Sequence, residues 1–106
     1  MANTDDEFQI TPSEVKQYTD LMILWMMTYG LIEKGEAIKR LEDKNLIIKD
    51  NGEYNQMTFH EEPYYWAMRL LLGFENEQWY HDEKLWPPSQ EYRDLEQKYY
   101  DGDITI

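Results

Sequence analysis

"LMILWMM", Leu21–Met27, is seven apolar residues in succession. A helix on a globular surface keeps its apolar residues on one stripe. This segment carries them on every side, so any fold the chain takes must cover it all round. Its setting is helical. Thr11 is a good N-cap, Pro12 suits the first helical position, and Glu14 completes a T-x-x-E capping box. Ile10 and Val15 are spaced for a hydrophobic staple. At the far end Gly30 is suited to the left-handed position, with Leu31 folding back towards Met26. The helix is therefore expected over residues 12–29. Val15, Tyr18, Met22, Trp25 and Tyr29 recur at helical steps and draw one stripe. Leu21, Ile23, Leu24, Met26 and Met27 fill the rest of the circumference, so only the first half is amphipathic.

A second segment shares this character. Pro63 opens "PYYWAMRLLL", which stops at Gly73 and contains one charge, Arg69. Tyr64, Tyr65 and Trp66 are successive, so they point about 100° apart and cover over half the circumference. Glu61 and Glu62 lie well against the positive end of this helix. Two helices without a polar face, in a chain of 106 residues, predict either a tightly wrapped core or apolar surface that a partner shields. Tyr, Trp and Met suit the second role, because interfaces are enriched in them.

The remaining elements follow from caps and breakers. A helix over residues 34–44 turns Ala37, Ile38 and Leu41 inward, and Asn45 can take the left-handed position with Leu41 and Leu46 in contact across it. "LIIKDNGEYNQMTF" then changes period. Asn51-Gly52 is a type I′ turn signal, flanked by Ile47 and Ile48 on one side and Tyr54, Thr58 and Phe59 on the other, which predicts a β-hairpin over about residues 46–59. "FENEQWYHDEKLW" reads as a short helix capped by Asn76 and ended by Pro87-Pro88. Ser89 caps a last helix over residues 90–100, with Tyr92, Leu95 and Tyr99 inward. The expected fold is mainly α: a small single-domain bundle of four or five helices, residues 11–106, with one hairpin between the second and third helices. Residues 1–10 read as an acidic flexible lead-in.

Composition narrows the function classes. With 42% hydrophobic residues and four Trp, nine Tyr and three Phe, the chain is too apolar for intrinsic disorder. It has no cysteine, which excludes disulfides, thiolate catalysis and Cys-ligated metals. The first ten residues lack the basic and apolar regions of a secretory signal, and no apolar run approaches the ~20 residues of a membrane span. A soluble cytoplasmic protein is expected. The formal charge of -12 repels phosphate backbones and anionic membranes and attracts basic surfaces. It is unevenly spread. Residues 31–49 carry five bases against four acids, whereas residues 50–106 carry thirteen acids against four bases.

No motif carries chemistry. His60 and His81 stand beside carboxylates in "HEE" and "HDE", but neither has metal-ligand spacing on a helix face, so surface histidines are expected rather than a metal site. There is no nucleophile elbow, no P-loop and no G-x-G-x-x-G. Neither an enzyme nor a cofactor is expected.

Two binding readings remain. The first is a small non-catalytic protein, inhibitor-, immunity- or antitoxin-like, that occludes the basic surface of a partner protein. Its carboxylates would steer association and its rings would slow release. Tyr65, Trp66, Trp79, Tyr80 and Trp86 are the expected anchors. A homodimer is the variant in which a second copy shields the apolar area. The second reading starts from "AIKRLEDKNLIIKDNGEY", Ala37–Tyr54. A helix followed by a polar-tipped hairpin resembles the recognition helix and wing of winged-helix DNA-binding proteins. The resemblance implies a nucleic-acid-binding regulator, with Lys34, Lys39, Arg40, Lys44 and Lys49 as phosphate contacts. It covers 18 of 106 residues, and the overall charge opposes the counterion-release term that drives DNA affinity.

Overall fold

Thr11 starts the first helix as its sequence predicts. Its hydroxyl accepts from the Glu14 amide at 3.1 Å, and the Glu14 carboxylate accepts from the Thr11 amide at 3.0 Å, so two otherwise orphaned donors are satisfied together. The computed structural model describes residues 10–106 and is mainly helical: α1 (Pro12–Gly30), α2 (Lys34–Asp43), α3 (Pro63–Leu72) and α4 (Gln90–Tyr100). Two 3-10 helices, Gln56–His60 and Gln78–His81, lie in the connections. The expected acidic lead-in over residues 1–10 lies outside the described residues except for Ile10.

α1 is the centre, in contact with each of the other three helices and most extensively with α3. Leu21 to Met26 are all buried, with Trp25 only 2 % exposed. Ala37 and Leu41 of α2, Leu46, Tyr64, Ala67 and Met68 of α3, and Tyr92 of α4 belong to the same buried cluster. The Trp25 indole N–H points at the Met68 sulfur, 3.3 Å away. The Trp25 ring meets Tyr64 at 5.6 Å and Tyr92 at 5.5 Å between centroids. Of the two outcomes expected for "LMILWMM", the wrapped core is the one found: the chain itself covers Leu21–Met26, and Met27 is half-buried.

Polar ties fix α4. The Tyr99 hydroxyl donates to the buried Asp20 carboxylate at 2.7 Å, and Lys16 reaches the same oxygen at 2.6 Å. Arg93 forks onto both Glu62 oxygens at 2.7 and 3.1 Å, joining α4 to the start of α3. Ser89 caps α4 by accepting from the Tyr92 amide at 3.2 Å.

Three local expectations change. Gly30 ends α1 inside the helix, and Leu31 takes the left-handed conformation at φ 58°. Gly30 serves another purpose: a Cβ there would overlap the Leu71 side chain of α3. Glycine at residue 30 gives the Leu71 methyls room, and the left-handed position falls to an exposed leucine. By contrast, α2 ends as predicted. Asn45 is left-handed at φ 51°, its amide bonds Glu42 O at 3.0 Å, and the Leu46 amide bonds Leu41 O at 3.3 Å, the two bonds of a Schellman ending.

The predicted hairpin over residues 46–59 is not found. Among the described residues there is no strand, only one isolated antiparallel bridge between Ile48 and Tyr54. The Asn51 side chain accepts from the Glu53 amide at 3.0 Å instead of Asn51 adopting positive φ. The reversal is a three-residue loop, with Gly52 alone at positive φ and its amide bonded to Lys49 O at 2.9 Å. Beyond Asn55 the second arm leaves the ladder. Thr58 donates its hydroxyl proton to Leu46 O at 2.6 Å, and its own carbonyl accepts from Trp66 Nε1 at 2.7 Å. Those bonds wind residues 56–60 into a 3-10 turn under α3.

Lastly, the helix expected after Asn76 shrinks to the single 3-10 turn Gln78–His81. Asn76 still accepts from the Gln78 amide at 3.0 Å.

Candidate functional site

The five aromatic residues expected to act as anchors come together. α3 presents Tyr64, Ala67 and Met68 to α1 and turns Tyr65 and Trp66 the other way. Residues 74–86 pass over that outer side as an irregular strap and bring Trp79, Tyr80 and Trp86 onto it. Tyr65 is the hub, with ring centroids 4.9 Å from Trp66, 5.9 Å from Trp79, 5.5 Å from Tyr80 and 6.0 Å from Trp86. Tyr80 and Trp86 approach to 4.8 Å. Most pairs are edge-on or tilted, the arrangement that ring quadrupoles favour, worth about 0.5–1.5 kcal/mol per pair beyond burial.

The rings differ in access. Trp79 is 4 % exposed and is a core residue, whereas Tyr80 is 38 % exposed and forms the outer edge. Tyr65, Trp66 and Trp86 are half-buried. Glu61, Glu75, Glu77, Asp82 and Glu83, from the start of α3 and from the strap, are all exposed. The Tyr80 hydroxyl is raised above its usual pKa, first by burial and then by the Glu61 charge and by Tyr65. The site is thus a stacked ring cluster whose exposed edge is Tyr80, beside several exposed acids.

Two members were missed from the sequence, Arg69 and Phe74. Arg69 donates to the Tyr65 hydroxyl at 2.8 Å and to Phe74 O, and its guanidinium lies over the rings of Tyr65, Trp66 and Phe74 at 5.6, 5.9 and 4.9 Å. Its Nε is buried with no hydrogen-bond partner. The cation ties the strap to the helix through ring faces and a carbonyl. The signal was legible in principle: the one charge in α3 stands four residues after Tyr65 and five before Phe74.

The bases of the winged-helix resemblance are differently placed. Lys39 pairs with Asp43 at 2.9 Å, Arg40 with Glu36 at 2.8 Å, and Lys49 with Glu53 at 3.8 Å. Lys44 lies over the Phe74 ring at 4.9 Å, and Lys34 is exposed in the first turn of α2. His60 and His81 are exposed at the ends of the 3-10 helices. Among the described residues no group of three or more His, Asp or Glu is placed to hold a metal, and no helix is long and apolar enough to cross a membrane. No family model, no curated protein and no solved structure matches the chain.

Proposed function

We propose that this chain is a non-catalytic binding protein that docks onto the basic surface of a partner protein through Tyr80 and the carboxylates around it. The observation that supports the reading most directly is the accessible Tyr80 ring, held by Tyr65, Trp79 and Trp86 on ground where exposed acids dominate. A pre-ordered ring loses little conformational entropy when it is covered, which is what an interface anchor requires. Arginine and lysine of the partner would stack on the ring and meet Glu61, Glu75, Glu77, Asp82 or Glu83. Trp79 acts from beneath as support rather than as a contact. Occlusion of a nucleic-acid-binding face is the inhibitory mechanism that fits, since those faces are basic. The inhibitor-, immunity- or antitoxin-like role belongs to this proposal.

The test is affinity capture with the immobilised chain, comparing the parent with Tyr80→Ala and with a Glu75/Glu77/Asp82/Glu83→Lys variant. Retention of a basic protein at low salt by the parent, lost in both variants while their helical circular dichroism is unchanged, is the expected outcome. Retention that ignores both variants would end the proposal. Binding of random duplex DNA at low salt that vanishes at moderate salt would favour the regulator reading instead.

A further inference from the structure

We infer that Ile47–Lys49 and the groove beside it form a second docking edge, one that accepts an extended aliphatic peptide segment bearing a carboxylate. This goes beyond the aromatic site and does not depend on it. Two independent observations meet here.

The first is an open backbone edge. The Lys49 amide donates to Glu53 O at 2.8 Å and the Asn55 amide donates to Ile47 O at 2.8 Å. Ile48 and Tyr54 between them therefore occupy the non-hydrogen-bonded position of an antiparallel pair. In that geometry the Ile48 N–H and C=O point away from Tyr54, and among the described residues no protein group bonds either one. An extended stretch with a free donor and acceptor is the template on which a further strand adds.

The second is the groove that this edge borders. It encloses about 420 Å³, and its apolar lining is Ile23 of α1, Ile38 and Leu41 of α2, and Ile47 and Ile48. That volume lies in the range of specific binding sites, about 300–1,000 Å³. No ring lines it, in a chain with sixteen aromatic residues. The surface is branched and aliphatic, so a branched aliphatic side chain matches it. Ile48, 44 % exposed, is one of its lining residues. Lys49 is on the rim, held only loosely by Glu53 at 3.8 Å, and residues 31–49 are the stretch where bases outnumber acids. Glu42 also lines the groove, so the segment's carboxylate belongs at the Lys49 end. The occupant that satisfies all of these features is an extended peptide. Its backbone pairs with Ile48, one Val or Ile enters the groove, and an acidic residue meets Lys49.

The test uses a blocked peptide, acetyl-Thr-Ile-Val-Glu-Thr-amide, titrated into the isotopically labelled chain by NMR. The expected result is shifts centred on the Ile48 amide and on the methyls of Ile23, Ile38 and Ile47. Peptides with alternate residues N-methylated should bind about tenfold more weakly in the register that pairs with Ile48. Lys49→Gln, at a half-exposed side chain, should weaken the Glu peptide about threefold and leave its Gln analogue unchanged. Equal binding of all N-methylated forms, shifts centred on Tyr80 and Trp86, or no shifts at millimolar peptide would each overturn the inference. So would light scattering that shows a dimer which Ile48→Lys returns to a monomer. Loss of the shifts at Ile48 leaves the aromatic site untouched, because that site is tested separately through Tyr80 and the acids around it.

Discussion

Leu21–Met27 and Tyr64–Leu72 look alike in sequence, yet they are covered in different ways. The first is sealed by three helices and by Leu46, with every residue from Leu21 to Met26 buried. The second is sealed only on the side facing α1. Its outer side is covered by a strap whose regular structure is a single 3-10 turn, Gln78–His81, and whose hold comes from rings and from Arg69. An apolar circumference therefore does not by itself signal an interface. What distinguishes the two segments is the covering layer: hydrogen-bonded helices in one case, side-chain stacking in the other. Tyr80 is exposed at the edge of the thinner cover.

The contrast can be broken by mutation. Trp25→Ala should have the largest effect, about 3–5 kcal/mol, because the rigid helices around it cannot collapse into the cavity. Against the ~5–15 kcal/mol of an ordinary domain, this should leave little margin in urea denaturation. Trp79→Ala should cost less, about 2 kcal/mol, since the strap can close over the gap or lift away locally. Hydrogen exchange sharpens this point: amides of residues 74–86 should open well before those of residues 21–26, and Trp79→Ala should accelerate only the former. Equal acceleration in both regions would show that strap and bundle are one cooperative unit.

The next effect is on pH. Burial raises Tyr64 to about 12, and burial together with the bond to Asp20 raises Tyr99 to about 12, from the usual 10.0. A folded-state pKa above the unfolded one means that the fold favours the protonated phenol. This contribution is complete below about pH 10 and is lost as pH climbs from 10 towards 12. Urea midpoints followed with phenolate absorbance should fall in that window, and Tyr99→Phe should flatten the fall. The smallest effect has the opposite sign. Leu31→Gly should stabilise by about 0.5–1 kcal/mol, because an 84 % exposed leucine at positive φ gives up little contact and much strain. A lower thermal midpoint would mean that Leu31 makes contacts in solution that this geometry lacks.

How far the chain was legible depends on the range of the forces involved. The capping box at Thr11 and Glu14, the Schellman ending at Asn45, and the caps at Ser89 and Gly73 are satisfied by neighbours within a few residues, and all could be placed from sequence. Gly30 could not. Local rules give glycine the left-handed position, but Leu71, forty-one residues on, claims the space where its Cβ would be. The hairpin failed for a related reason. Asn51-Gly52 did make a turn, but Thr58 was drawn from the second arm by Leu46, Tyr18 and Trp66. The site was legible as a set of residue types. That its rings would stack on each other, with Arg69 between strap and helix, follows from the path of residues 74–86, which no periodic pattern encodes.

Thr58 has a practical consequence. Its carbonyl oxygen is within reach of the Tyr18 hydroxyl at 2.9 Å, Trp66 Nε1 at 2.7 Å and the Glu61 amide at 3.3 Å, so one peptide group serves as a junction for distant parts of the chain. Extra residues spliced in between Asp50 and Gly52 would merely lengthen a solvent-facing tip. A single residue added between Gln56 and Glu62 would displace that junction and loosen α1 from α3, which makes this connection the one an engineer should leave alone.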